Sequence, residues 1–198
     1  MKASSPFGEL TPAGFLQRYW QKRPLVVRGA LPQLAGIIDP EELAGLACEP
    51  DVASRIVRGD GEHEPFTLEH GPFSEQQFRA LPERDWTVLV QDVEKHLPEM
   101  AGILAPFRFL PDWRIDDLMI SYAAPGGSAG PHVDQYDVFL VQASGERHWA
   151  VQEAADAICP VKDSPLRLVA NFAPTSEWLL EAGDLLYLPP GIPHHGVA

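Results

Sequence analysis

The chain has 198 residues, enough for one large domain or one domain with an appendage, and a hydrophobic content of 45% supplies a substantial core. Lys and Arg number 15 against 28 Asp and Glu, a formal net charge of −13, which speaks against direct nucleic-acid binding and for basic partners. Only Cys48 and Cys159 are present, in no CxxC pattern, so neither a disulfide nor a zinc framework is expected; the N-terminus lacks a signal-peptide core, no apolar run reaches membrane-spanning length, and a reducing cytoplasmic setting fits.

Thr11-Pro12 has the form of a helix start, Thr as N-cap and Pro in the first turn, with Phe15, Leu16, Tyr19 and Trp20 following at helical spacing. Arg23-Pro24 ends it and Leu25-Val26-Val27 reads as a short strand. Asp39-Pro40-Glu41-Glu42 opens a second helix to about Ala47, its acidic residues placed where the helix dipole favours them. A strand is expected over Val52 to Val57. Gly59 to His70 reads as a polar loop, with His63 and His70 as surface histidines because neither has a partner at ligand spacing. Apolar residues separated by charge run from Phe73 to Leu81, Trp86 to Val90 is a strand, and Gln91 to Phe109 is expected to be helical with a break at Pro98.

The stretch Leu118 to Trp149 organises the rest. Leu118 to Ala123 reads as a strand, Pro125 to Gly130 as a flexible glycine-rich loop, His132 to Gln142 as one long strand, and Arg147 to Val151 as the strand returning after Ser144-Gly145. Ala154 to Val161 is irregular. Leu166 to Phe172 and Trp178 to Leu180 are apolar pieces, and Leu185 to Leu188 is a buried strand that turns hard at Pro189-Pro190-Gly191 before His194. Many short strands joined by Gly/Pro turns predict a β-sandwich or barrel. Because the sequence ends at Ala198, a few residues past His194, an unprotected sheet edge and hence a truncated chain are expected.

Side chains two apart on a strand share a face, so His132 and Asp134 would converge, with His194 arriving from a second strand. Two imidazoles and one carboxylate on one side of a metal are the usual ligand set of non-haem Fe(II) oxygenases. His195 competes with His194 for the third position. Tyr136 would share the face of His132 and Asp134, lining a pocket or packing in the core; Asp137 would point away. Asp116 and Asp117 read either as an attractor for a cationic substrate or as a solvated pair.

Pro125-Gly-Gly, the run from Gly130-Pro-His to Val138-Phe139, Gly145-Glu-Arg-His-Trp149 and the run from Gly183 through Pro189-Pro-Gly-Ile-Pro-His194 together resemble the JmjC-type, cupin-fold 2-oxoglutarate oxygenases, in particular the bacterial ribosomal oxygenases; a similar run at Trp20 to Leu25 extends the likeness over most of the chain. The resemblance implies a mainly β fold with flanking helices around a double-stranded β-helix (jelly-roll) core. It divides the chain into a wrapping region at 1–95 and a catalytic core at 96–198, without the family's helical dimerisation and winged-helix regions. It implies His132, Asp134 and His194 as Fe(II) ligands and selects His194 over His195. Arg147 becomes the clamp for the distal carboxylate of 2-oxoglutarate, since a guanidinium offers two parallel donors, and Ser121 a further donor to that cosubstrate. The implied activity is hydroxylation of an arginine in a basic large-subunit ribosomal protein, by a cytoplasmic enzyme that is a homodimer at full length and touches neither membrane nor nucleic acid directly. Histidyl hydroxylation, lysine demethylation, a non-enzymatic cupin-fold binding module and a hydrolytic zinc site are the alternatives.

Overall fold

A computed structural model describes residues 5–153, 158–162 and 164–198, so part of the segment expected to be irregular, 154–157, lies outside the described residues. In chain order the strands are β1 (Leu25–Val27), β2 (Ser54–Arg58), β3 (Thr67–His70), β4 (Trp86–Val90), β5 (Ile120–Ala123), β6 (His132–Val133), β7 (Val138–Val141), β8 (Glu146–Val151), β9 (Ser176–Glu181), β10 (Leu185–Leu188) and β11 (Pro193–Val197). The α-helices are α1 (Pro12–Arg18), α2 (Pro40–Cys48), α3 (Glu75–Arg79) and α4 (Val93–His96), with a 3₁₀ path over Pro98–Phe107. The chain packs as two compact units, residues 1–37 with 130–198 and residues 38–129; neither boundary falls at 95/96.

The first unit is a jelly roll of two antiparallel sheets, ordered β1-β10-β7 and β6-β11-β8-β9. Alternation along the strands builds the core between them. Trp149 and Val151 of β8, Leu180 of β9, and Leu186 and Leu188 of β10 form one buried cluster, with Val26, Leu140, Trp178 and Ile192 packed against it. The other face of β10 is also covered, which is why this strand reads as an unbroken apolar run. There Tyr187, fully buried, meets Phe15 edge-on at 4.8 Å, Trp20 at 5.9 Å and Phe139 at 5.2 Å. Helix α1 supplies Phe15, and begins as its sequence predicts, the Thr11 hydroxyl accepting the Gly14 N–H at 3.1 Å.

Asp184 fastens the β9–β10 turn to the segment after β1. Its carboxylate accepts the Gly29 N–H at 2.8 Å, the Glu181 N–H at 3.1 Å and an Arg28 N–H at 2.5 Å. Burial works against the charge, but those three donors outweigh it and hold the Asp184 pKa below the usual carboxylate value.

The second unit is an antiparallel sheet ordered β3-β2-β4-β5. Leu43 and Ala47, one turn apart on α2, are buried with Ile56 and Val88, which face each other across β2 and β4. Asp39 caps α2 through Glu41 N at 2.9 Å, and Ser74 with Gln77 forms a reciprocal capping box on α3.

Four expectations need correction. Thr67 to His70 is a strand and not loop: its side chains are polar because it is the sheet's edge and only half-buried. The long strand over 132–142 is two strands, β6 and β7, lying in different sheets and separated at 134–137. The glycine-rich segment after β5 is pinned rather than flexible: Gly127 donates to the Ala124 carbonyl at 2.7 Å, and both it and Ser128 are buried. Finally β11, expected to expose an edge, is an interior strand between β6 and β8.

Two stability measurements follow. A Cβ on Gly127 would lie 2.1 Å from the Trp86 carbonyl oxygen, a backbone atom, so Gly127→Ala should cost at least about 1–3 kcal/mol in urea unfolding. Asp184→Ala should cost about 1–3 kcal/mol at pH 7 by leaving buried donors unpaired. Because the folded-state pKa of Asp184 is depressed, its contribution is present above the unfolded carboxylate value and lost as pH falls through the folded one. The gap between wild type and variant should therefore close on acidification below about pH 4; a gap that stays constant to acid would exclude this role for the charge.

Candidate metal centre

The β6–β11 ladder places His194 directly across from His132. Paired residues of an antiparallel ladder project to the same face, so both imidazoles enter the space between the sheets, ring centroids 4.3 Å apart. Asp134 follows β6 immediately. Its Oδ2 lies 3.5 Å from His194 Nε2 and 3.9 Å from His132 Nε2. One donor atom from each residue falls within 4.8 Å of the others, and among the described residues this is the one such group of three.

Backbone geometry sets the tautomers. His132 Nδ1 lies 2.8 Å from the Gly130 carbonyl, and His194 Nδ1 2.9 Å from that of Ile192. A carbonyl can only accept, so each Nδ1 carries a proton, and in the neutral ring Nε2 is left to present its lone pair inward. His194 is 2% exposed; burial first, then the neighbouring His132 ring, push its pKa down to about 4. It is therefore neutral at pH 7, the form in which an imidazole binds a metal. Two neutral nitrogens and one carboxylate oxygen, held on one side, match the donor set of a facial triad and would hold a divalent cation such as Fe(II).

The same pleat separates His194 from its rival. His195 pairs with Ala150, one residue out of phase, and faces the opposite side of the sheet. Its ring meets Phe172 edge-on at 6.1 Å and its Nε2 is buried without a hydrogen-bond partner among the described residues. On that outer side His148 Nε2 meets Glu177 Oε2 at 3.2 Å.

Arg147, Trp149 and Val151 alternate along β8 on the face of His194. The guanidinium carbon of Arg147 stands 5.9 Å from the Trp149 ring centroid, and that ring lies 5.8 Å from the His194 ring. Trp149 packs flat against Gly196, where a Cβ would come within 2.7 Å of it. No carboxylate among the described residues pairs with Arg147, although burial pushes its pKa down from the ordinary guanidinium value. A half-buried cation with no counter-charge among the described residues is a candidate receptor for an anion.

The remaining residues are placed as follows. Ser121 is exposed on β5, opposite Leu89, and belongs to the other compact unit. Tyr136 does not share the strand face of His132, because β6 ends at Val133; it is 63% exposed. Asp137 accepts hydrogen bonds from the Tyr187 hydroxyl at 2.5 Å and from Gln21 Nε2 at 3.2 Å. Asp117 accepts the Asp92 N–H at 3.3 Å, and burial raises its pKa. His70 is exposed, and His63 is exposed and pairs with Asp60 at 2.8 Å, as surface histidines do. Sequence reasoning missed the two carbonyls that orient the ligand rings. The recurrent Gly-Pro-His and Ile-Pro-His spacing, which puts a carbonyl two residues before each His, is the signal that carried them.

Residues 102–198 match the JmjC domain. The sequence is 47% identical over 187 residues to the ribosomal protein uL16 3-hydroxylase of Escherichia coli K12, covering 93% of this chain and 48% of that protein. A crystal structure of E. coli YcfD superposes with a TM-score of 0.88 at 45% identity, over 96% of this chain and 50% of that one. A second, the E. coli ribosomal oxygenase YcfD in complex with cobalt and 2-oxoglutarate, gives 0.84 at 44% identity, over 96% and 48%. The jelly roll is thus of the cupin type seen in YcfD, and the chain spans about half the length of the relatives it matches.

The opposed faces of His194 and His195 give a direct comparison. In anaerobic Co(II) titrations followed by visible absorption, His194→Ala should lose tight binding and His195→Ala should retain it. Equal loss in both would mean that the pleat does not separate them. In the metal-free protein, His195 also carries a pKa pushed down to about 4 by burial and the nearby His132. The unfolded chain then binds more protons than the folded one between the ordinary 6.5 and about 4, so stability falls as pH drops through that window. His195→Gln should flatten this part of the pH–stability curve.

Proposed function

The chain carries a JmjC domain, and from that premise we propose that it is an Fe(II)- and 2-oxoglutarate-dependent protein hydroxylase acting on an arginine of a large-subunit ribosomal protein. One observation carries the reading: His132, His194 and the Arg147 guanidinium, unpaired among the described residues, project from one sheet face, with Asp134 beside the two imidazoles and Trp149 between them and the cation. A metal-only site has no use for that cation, and an anion site has no use for the triad. A ligand that chelates a metal at one end and ends in a carboxylate at the other needs both, and 2-oxoglutarate is such a molecule. The relative crystallised with cobalt and 2-oxoglutarate supports the same pair of ligands here.

Each residue then has a task. His132, Asp134 and His194 would hold Fe(II) from one side, their combined charge leaving it cationic and its opposite side free for ligands. When bound, the metal and cosubstrate supply the oxidative chemistry, coupling dioxygen reduction and decarboxylation of the 2-oxo acid to hydroxylation of a carbon. Arg147 would clamp the distal carboxylate through paired N–H donors in a partly desolvated setting, where a charge-assisted bond is strengthened. Trp149 stands beside both clamp and triad, its ring 5.9 Å from the Arg147 guanidinium carbon and 5.8 Å from the His194 ring. The net charge of −13 suits a cationic protein substrate. Action in the cytoplasm, a homodimeric full-length protein, and no direct nucleic-acid contact belong to the same reading. Among the described residues no helix is long and apolar enough to cross a membrane.

The test titrates 2-oxoglutarate anaerobically into protein loaded with Fe(II). A metal-to-ligand charge-transfer band should appear for wild type, and Arg147→Ala should need more cosubstrate by about 10–150-fold, the cost of about 1.5–3 kcal/mol for a lost charge-assisted bond. Once air is admitted, ribosomal-protein peptides should gain one oxygen on arginine. Oxygen on histidine, or loss of a methyl group, would move the protein to the histidyl-hydroxylase or demethylase activities; iron bound without any band would remove 2-oxoglutarate from the assignment.

A further inference from the structure

His132 and His194 are fixed by the ladder of β6 and β11, but Asp134 is not: it stands just beyond β6, at the start of a four-residue segment leading to β7. Its geometry therefore depends on how residues 134–137 are tied down at their two ends. At the first, the Asp134 carbonyl accepts the Gly191 N–H at 2.8 Å. At the second, both carboxylate oxygens of Asp137 are taken, one by the Tyr187 hydroxyl at 2.5 Å and the other by Gln21 Nε2 at 3.2 Å. The Tyr187 oxygen accepts in turn from the Gln21 N–H at 2.8 Å.

This network is built into the core. Tyr187 is fully buried under Phe15, Trp20 and Phe139, so its ring has little room to swing. Gln21 holds a positive φ of 55°, a conformation uncommon for a non-glycine residue, and in it both its backbone and side-chain donors reach the network. Burial, and then the Asp137 carboxylate, drive the phenol pKa well above its ordinary value, so the hydroxyl remains a donor at every working pH.

We propose that Tyr187, through Asp137, is a positioning residue for the metal ligand Asp134: its hydroxyl holds the far end of the 134–137 segment and so sets the carboxylate against the two imidazoles. The inference rests on the metal reading of the triad. It assigns Tyr187 and Asp137 no contact with metal, cosubstrate or substrate. Outer groups that orient metal ligands typically cost 10–100-fold in affinity when removed.

Co(II) affinity and the visible d–d spectrum of the cosubstrate-free protein, measured with thermal melts, test it without turnover. Tyr187→Phe should weaken Co(II) binding about 10–100-fold and alter the d–d band. Asp137→Ala should do the same, while Asp137→Asn, which keeps an acceptor oxygen for Tyr187, should recover most of the loss. Phe15→Leu perturbs the same aromatic cluster without touching the network; it should lower the Tm and leave affinity and spectrum unchanged. If Tyr187→Phe behaves like Phe15→Leu, the hydroxyl is structural only and the inference is overturned. A wild type that binds no Co(II), indistinguishable from His194→Ala, would instead overturn the metal reading and this inference with it.

Discussion

The pairing of His194 with His132 across the β6–β11 ladder fixes the face on which chemistry can be built. A one-residue slip would carry His194 to the outside of the sheet and bring His195 inward. Two features oppose the slip. The chain turns sharply at Pro189-Pro190-Gly191, with Gly191 at a φ of 81°, and Gly196 must stay under the Trp149 ring because no side chain fits there. Register, turn and packing thus agree, and the agreement converts two strands into a pair of oriented imidazoles.

Electrostatics treats two groups on this inner face differently, one giving up its charge and the other lacking a partner for it. His194 is buried and neutral, its proton held on the side of a backbone carbonyl. Arg147 stands in a desolvated position with no carboxylate among the described residues to balance it. A fold selected for stability alone would pair or expose that guanidinium, because an uncompensated charge away from water is costly. Elsewhere the same protein pairs its cations ordinarily: Arg28 meets Asp184, and Arg79 meets Glu75 one turn along α3.

The aromatic cluster beneath α1 is tied by hydrogen bonds to the segment that carries Asp134. Phe15, Trp20, Phe139 and Tyr187 bury one face of the β1-β10-β7 sheet, and the one polar atom that β10 contributes there is spent on Asp137. A buried hydroxyl without that carboxylate would lose a hydrogen bond; a carboxylate without the hydroxyl would be free to move. The N-terminal segment thereby meets the stretch that begins at Asp134, Gln21 donating one hydrogen bond to the Tyr187 hydroxyl and one to Asp137.

Much of this was legible in the sequence. Thr11-Pro12, Asp39-Pro40, the Trp86 to Val90 run and the apolar Leu185 to Leu188 run report local physics, namely caps and burial, and each became the element its residues prescribe. The candidate ligand types were legible too, because an HxD pair and a Pro-His far downstream are chemically conspicuous. Periodicity could not reveal that the strand through His132 breaks at Asp134, or that polar Thr67 to His70 pairs at a sheet edge, since both depend on which strand lies alongside. Nor could it tell His194 from His195 without a family likeness: adjacent residues on a strand differ only in face, and the face is set by a partner more than sixty residues away in His132. The sequence by itself determined which groups are available and which segments are extended. Tertiary structure alone decided which of those groups meet, because convergence depends on register between distant strands, and register is a property of the assembled sheet rather than of any segment within it.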